Sequence, residues 1–514
     1  LKINNLVSFC LCAIRWGWKH HVEPAALPSP VSRHYLVLLG AAALAGCAPK
    51  VELSRPEIAL PQRFETAMPA SAAGEADLDR WWERFGDAQL TALVNAALER
   101  STDARTAYFR LREARAIRDQ SLSQRQPTGS ISGSATVRDG TVISGTDFLG
   151  STAGGDSQSL GFSPSWELDL FGRLAAIGQG ARANYAAAAY DYHAMRMSIA
   201  ADVATTLFDA RGLAVQRQDA GETLRIASEL AQASALGRDH GLVAAADTAR
   251  LDGDVASARA ELTRIETTLR NAKRSLLVLV GQADAPTDSL PIDARLDAPL
   301  MVPALLPSIL LERRPDVLAA QARLAAAASA VQVDRLALFP RFTLQGSGSV
   351  SRSSGSPPLV SGLWSLAAGL SLPVLDRSRL MAQLRATEAQ GQQAVIAYEA
   401  AVQAAFRDAD IALATASADR LRLNDLTRAE ERARFAFDAG RKGYGIGLTD
   451  LTTLLQSERS WRAARTALTS ARALALSNVV AAFRALGGGW NPDDPAMAPG
   501  QPSIFLPIQS KDQS

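Results

Sequence analysis

The chain repeats itself. Asp103, Pro127, Gly133 and Val137 recur as Asp316, Pro340, Gly346 and Val350, each pair 213 positions apart (340 − 127 = 213). Farther along the spacing becomes 206. Leu174 recurs as Leu380, Gly241-Leu242 as Gly447-Leu448, Ala258-Arg259 as Ala464-Arg465 and Gly281 as Gly487 (447 − 241 = 206). The seven-residue difference (213 − 206 = 7) falls between Val137 and Leu174, where composition marks the Gly/Ser/Thr-rich stretch 138–159 as a loop. Whatever supersecondary unit the first half builds, the second half is expected to build again.

Each half reads as helix, two strands, then long helices. The first helix is expected over about 87–125 and is stopped by Pro127. The hydrophobic period then changes from 3.6 to 2. Ile131, Ala135 and Val137 alternate with serines and Thr136, and Leu160, Phe162, Trp166, Leu168 and Leu170 alternate with serines, Glu167 and Asp169. In the second half Phe342, Leu344 and Val350 share a face, as do Trp364, Leu366, Leu370, Leu372 and Val374. That makes four strands of roughly ten residues, apolar on one face and small or polar on the other. A soluble sheet packed on a helix has this pattern. So does a transmembrane barrel strand, which needs ~9–11 residues. Four strands cannot close a barrel and open edges cannot sit in lipid, so the barrel reading requires several copies of the chain.

The stretches 174–236, 243–280, 380–438 and 448–486 carry few helix breakers. Val203, Leu207, Ala210 and Ala214 step by four, three and four, as do Val402, Phe406, Ala409 and Leu413, the spacing of a coiled-coil seam. At about 1.5 Å per residue, 40–60-residue helices reach roughly 60–90 Å, longer than a globular core. A helical bundle or tube follows, with a string of shorter kinked helices as the alternative.

The N-terminal region bears on the compartment. "LVLLGAAALAGCAPK" (36–50) is too short for a membrane span, which needs ~20 apolar residues. It has the order of a signal peptide: Arg33-His34, an apolar core, then small residues. Leu44-Ala45-Gly46-Cys47 resembles the bacterial lipobox, in which the Cys becomes the first mature residue and carries diacylglycerol. The residue after it, Ala48 rather than Asp, suggests by the same resemblance export onward to the outer membrane. Residues 1–30 begin with Leu rather than Met and mix Cys10, Cys12, Trp16, Trp18, His20 and His21 without a clear period, and the translation start is expected near Val31.

Composition argues against several functions. The net charge of +2 gives no electrostatic case for nucleic acid. Downstream of the expected cleavage site only Cys47, His193 and His240 remain of three cysteines and five histidines. That leaves no Cys/His metal cluster, no disulfide and no nucleophile–His triad. The Cys10/Cys12 and His20/His21 group lies upstream of the cut. No phosphate-binding loop motif occurs, and no 18-residue apolar run suggests a membrane-spanning helix. An enzyme is the weakest reading, with no catalytic residue, metal or cofactor expected beyond the lipid on Cys47.

Several segments together, "WWERFGDAQLTALVNAALERS" (81–101), "WELDLFGR" (166–173), "LLERRPDVLAAQARLAAAAS" (310–329), "LFPRFTLQGS" (338–347), "GLSLPVLD" (369–376) and "FRALGGGW" (483–490), resemble the outer membrane efflux factor family, the TolC-like proteins, in the lipoprotein subgroup typified by OprM and NodT. The resemblance covers roughly 80–490. It implies an α+β membrane protein, internally duplicated, with four transmembrane β-strands per chain forming a shared trimeric 12-stranded barrel plus a long α-helical periplasmic tunnel. It implies a homotrimer in the outer membrane that receives substrate from an inner-membrane efflux pump through a periplasmic adaptor and performs no chemistry.

The resemblance also places candidate residues. The turns "LGRDHGLVAAAD" (236–247) and "AGRKGYGIGLTD" (439–450) would form the periplasmic end, with Gly241, Leu242, Val243, Gly447, Leu448 and Thr449 meeting the adaptor. Glycines that merely make turns are the plainer reading, and both can hold. Above the second turn the family narrows its bore with polar side chains. Here Thr452, Gln456 and Arg459 share one helix face, with Asp450 nearby but facing elsewhere. Family members often carry Asp where this chain has Gln456. Arg459 is expected to pair with an acid across the seam, or else to belong to an ordinary solvated face.

The expected organisation is a signal peptide at 1–46, a lipid-anchored linker at 47–79, a first repeat at 80–285 with its hairpin at 128–171, a second repeat at 286–490 with its hairpin at 341–375, and a Pro-rich, loosely ordered tail at 491–514. The functional expectation is an exit duct for drugs or other small molecules. The alternatives are a same-fold duct for type I protein secretion or metal export, and a periplasmic coiled-coil scaffold without a pore.

Overall fold

The computed structural model describes residues 61, 63–65, 78–138, 155–241, 243–302, 307–354 and 359–491, all within the compact unit Val51–Ser514. Expectations for the signal peptide, Cys47, most of the linker, Leu242 and nearly all of the tail lie outside the described residues.

The first helical stretch is two helices, not one. α1 (Ala88–Arg100) and α2 (Thr102–Ser123) break at Ser101. Ser101 leaves helical geometry (ψ 147) and its hydroxyl accepts the Ala104 N–H at 3.1 Å, so a new helix starts there. β1 (Thr128–Arg138) and β2 (Gly155–Leu168) follow, then α3 (Arg173–Asp239) and α4 (Ala245–Leu279). From α2 onward the second half repeats this order with α5 (Pro315–Leu336), β3 (Arg341–Ser353), β4 (Leu359–Ser371), α6 (Arg377–Gly445) and α7 (Leu451–Ala485). α3 and α6 hold 67 and 69 residues, each about 100 Å of continuous helix. α7 is long and apolar enough to cross a membrane by length and composition, which counting apolar runs did not suggest. Its apolar window is 56% buried within the chain.

Two seams hold these helices. Val203, Leu207, Ala210 and Ala214 are buried, as are Val402, Ala409 and Leu413. Alanines at these positions let backbones approach closely, and α4 runs along α3 as α7 runs along α6. The main core lies where α1, the middle of α3 and the C-terminal ends of α4 and α7 converge. There Trp81 stacks on Phe483 at 5.7 Å and Phe85 packs on Phe208 at 5.2 Å. Buried beside it, Arg211 of α3 pairs with Asp87, the residue capping α1, and donates to Gln89 Oε1 at 2.9 Å. Burial pushes the Asp87 carboxyl up, but the Arg211 guanidinium and the Leu90 N–H together hold it below its ordinary value.

The duplication is visible in the backbone. α4 ends at Gly281 (φ 73) and α7 at Gly487 (φ 76). Both ends close with the same bonds, Gln282 N–H to Leu277 O at 2.7 Å and Gly488 N–H to Phe483 O at 2.9 Å. A Cβ on Gly281 would lie 2.8 Å from the Arg100 carbonyl oxygen, and one on Gly487 2.7 Å from that of Arg313. Arg100 and Arg313 are themselves 213 apart (313 − 100 = 213). In each half, bare glycine backbone lets one helix end abut the start of the next, α4 against α2 and α7 against α5.

The four strands form one antiparallel sheet in the order β1-β2-β3-β4. The β2–β3 pairing joins the two halves side by side. The strands run 11 to 14 residues, longer than the ten the alternation suggested.

Candidate functional site

Three parts of the molecule carry the candidate function: the sheet, the two far helical turns, and the α7 face above the second turn.

On the sheet, register sorts the side chains cleanly. Ile131 pairs with Phe162, Leu160 with Val350, Leu344 with Trp166 and Phe342 with Leu370, all on one face. Ile131, Leu160, Val350, Trp364, Leu366 and Leu370 are each more than half exposed. The opposite face is hydroxyl-rich, with Ser134–Ser159, Ser347–Ser365 and Ser351–Ser361 linked Oγ to Oγ at 2.9, 2.8 and 2.7 Å. Among the described residues no helix packs along either face. A soluble sheet would bury its apolar side against a helix; this one leaves it bare. β1 and β4 each have one neighbour, so among the described residues both outer edges lack backbone partners.

The far turns are matched. Gly241 (φ 73) and Gly447 (φ 76) take the left-handed conformation that a tight helix–turn–helix demands. Val243 and Thr449 fold back onto Gly237 and Gly443. A Cβ on Gly237 would lie 2.6 Å from Val243 Cγ2, and one on Gly443 would collide with the Thr449 hydroxyl. These two glycines are a further 206-spaced pair, absent from the residues that the sequence singled out, although the spacing could have found them. Leu448 is 80% exposed and Ile446 73%, while Thr449 and Val243 are half-buried. Large apolar side chains are thus held out into solvent at this turn, away from the hydrophobic core. Leu242 lies outside the described residues.

Asp450 caps α7, its carboxylate accepting the Thr453 N–H at 2.8 Å and the Thr453 hydroxyl at 3.0 Å. The Thr453 N–H first, then its hydroxyl, hold the carboxyl below its ordinary range. Within the chain, that carboxylate is the N-terminal cap of α7. Thr452, Gln456 and Arg459 are all exposed on α7. Arg459 reaches α4, its Nη2 3.1 Å from both Asp254 carboxylate oxygens. This is an ion pair across a seam, as the spacing suggested, and its partner is Asp254. Nothing local in the sequence names Asp254, because the pair joins residues 205 apart.

Between α3, α4 and α7 lies a charged cavity of about 680 Å³. Glu458 is buried in its wall and takes an ion pair from Arg462 at 3.1 Å. Arg465 reaches Asp219 at 2.5 Å. Burial pushes both acids above their ordinary values, with the arginines partly opposing it. At the α6–α7 seam Phe437 stacks on Trp461 at 5.1 Å, and Trp461 donates to Glu430 at 2.9 Å. Among the described residues no group of three His, Cys, Asp or Glu side chains is placed to hold a metal ion.

The chain matches the family model described as outer membrane efflux protein over residues 93–282 and 306–488. It is 30% identical over 436 residues to the pyoverdine export outer membrane protein OpmQ of Pseudomonas aeruginosa, covering 84% of this chain and 91% of that one. It is 29% identical over 461 residues to the cation efflux system protein CusC of Escherichia coli, covering 87% and 98%. Among solved structures, the outer-membrane channel OprN superposes with a TM-score of 0.74 at 30% identity, over 86% of this chain and all of that one. The open state of the Neisseria gonorrhoeae MtrE outer membrane channel gives 0.74 at 25%, over 87% and 99%.

Proposed function

This chain belongs to the outer membrane efflux protein family, and from that premise we propose that three copies form the exit duct of a tripartite efflux system. One observation carries the reading: a four-stranded sheet that, among the described residues, has a bare apolar face, a hydroxyl-lined face and two unpaired edges. Lipid accepts the first, water in a bore the second, and only closure removes the third. Four is even, so β4 of one copy meets β1 of the next antiparallel, and the meander continues around a ring. Three copies make twelve strands, continued below by the long helices as a periplasmic tunnel.

The matched turns are the docking end. Gly241, Leu242, Val243, Gly447, Leu448 and Thr449 meet the tip of a periplasmic adaptor, which couples the duct to an inner-membrane pump. Thr452, Gln456 and Arg459 line the aperture, with Asp450 beside them. The Arg459–Asp254 pair ties α7 to α4 and favours the narrow state. One such half-exposed pair contributes ~0–1 kcal/mol, so three acting together set the bias. Cys47 carries the lipid anchor in the outer membrane. Relatives named for pyoverdine export and for cation efflux share this architecture, so likeness alone names no cargo.

The test is the oligomeric mass of detergent-extracted protein together with its conductance in a planar bilayer. A trimer giving small, long-lived currents supports the duct. A non-conducting monomer refutes it.

A further inference from the structure

We propose that the bore of the barrel favours anionic over cationic solutes, and that Arg341, with Arg138, sets that preference. The inference rests on the duct reading and adds a class of cargo to it.

It starts from the polar face of the sheet. Following the register, that face carries Thr128 through Arg138 at even positions on β1 and odd positions 157–167 on β2, beside odd positions on β3 and β4. Serine, threonine, glycine and glutamine dominate it. Its charged residues are three: Arg138, Glu167 and Arg341. Glu167 is already neutralised, since Arg173 donates Nε to Oε1 at 3.1 Å and Nη2 to Oε1 and Oε2 at 2.8 and 2.7 Å.

The other acids at that end of the sheet are engaged as well. Asp169 accepts the Leu174 and Ala175 N–H groups at 2.9 and 2.7 Å, starting α3. Asp376 lies 3.6 Å from Arg379. Arg341 stands exposed beside them with no ion pair to any described residue, and Arg138 likewise has none. Arg341 opens β3 and faces Ser371 at the helical end of the sheet, while Arg138 closes β1 opposite Gly155 at the far end. In a closed ring of three copies each becomes three guanidinium groups at one end of a hydroxyl-lined tube. Low-dielectric walls focus such a field along the bore, and an arginine stays charged at every working pH. A neutral hydroxyl wall between the two rings offers hydrogen bonds to a carboxylate, sulfonate or phosphate without a competing fixed acid.

The experiment is the reversal potential of single trimers under a potassium chloride gradient. Wild type is expected to favour chloride, more strongly as salt is lowered and screening weakens. Arg341→Gln is expected to reduce the chloride-to-potassium permeability ratio by about twofold or more, and Arg341→Glu to move it towards potassium. Arg341→Lys keeps the charge and is expected to keep the preference, which separates charge from folding. Adding Arg138→Gln to Arg341→Gln should lower the ratio further. Conducting trimers that favour potassium, or whose ratio Arg341→Gln leaves unmoved, overturn this inference and leave the duct standing. Protein that forms no conducting oligomer overturns both.

Discussion

Four left-handed glycines allow a controlled test of how the helices join. Gly447 and Gly487 flank α7 with the same φ of 76, and Gly241 and Gly281 flank α4 at 73. They differ in what a side chain would meet. At Gly241 and Gly447 a Cβ finds nothing within 4 Å. At Gly487 it lies 2.7 Å from the Arg313 carbonyl oxygen, and at Gly281 2.8 Å from that of Arg100. Gly447→Ala therefore bears only the left-handed penalty, roughly 1–2 kcal/mol. Gly487→Ala bears that and must also push a backbone oxygen away by several tenths of an ångström. That oxygen sits where α5 begins, so it cannot swing aside as a side-chain tip would. Overpacking of this kind adds about 1–3 kcal/mol. The assay is heat unfolding of the detergent-solubilised protein, followed by far-UV circular dichroism at one fixed scan rate because such unfolding is commonly irreversible. Gly487→Ala and Gly281→Ala should lower the midpoint clearly more than Gly447→Ala and Gly241→Ala. Equal shifts within each pair would refute the claim that bare backbone at Gly281 and Gly487 is what lets the helix ends abut.

Other expectations follow from single contacts. Arg459→Ala frees α7 from Asp254 and should raise the mean conductance of purified trimers; an unchanged current would remove Arg459 from the gate. Leu366→Arg puts a charge on the apolar face of β4, at a cost of about 2–4 kcal/mol near the bilayer midplane, and should deplete trimers from outer membranes. Ser365→Arg, one residue away on the polar face, should assemble normally; the faces are misassigned if Leu366→Arg is the better tolerated. Glu458 has its carboxyl raised by burial, so the folded state holds that proton to higher pH than the unfolded chain does. Stability from this group is then greatest below its ordinary value and falls as pH rises through the raised one. Glu458→Gln should flatten that slope and raise the unfolding midpoint at neutral pH, whereas a steeper slope would contradict it.

Much of this architecture was legible in the chain because its strongest signals are local. Left-handed turns need glycine, so Gly241, Gly281, Gly447 and Gly487 mark helix ends directly, and their common spacing exposes the repeat. Alternation over Leu160 to Leu168 and Phe342 to Val350 names the strand faces without reference to any neighbour. The break at Ser101 was missed because a helix–cap–helix junction keeps the 3.6-residue period on both sides. Only the capping hydroxyl betrays it, and serine is common in helices that do not break.

What stayed hidden is pairing across long helices. Arg459 offers a cation but not its partner, since Asp254 is brought opposite it only by the relative register of α4 and α7. Asp87 and Arg211, 124 residues apart, meet for the same reason. The repeat does not help here, because the halves keep their turns and exchange their contacts. Phe437 and Trp461 stack between α6 and α7, while the positions 206 earlier are Ala231 and Val255. Residues that set backbone direction must match in both halves for four strands to lie in one sheet and both far turns to sit at one end. Residues between helices need only suit their own seam. The Arg459–Asp254 pair is therefore where one half can differ from the other without disturbing the sheet, and a gate placed in such a seam can change independently of the barrel above it.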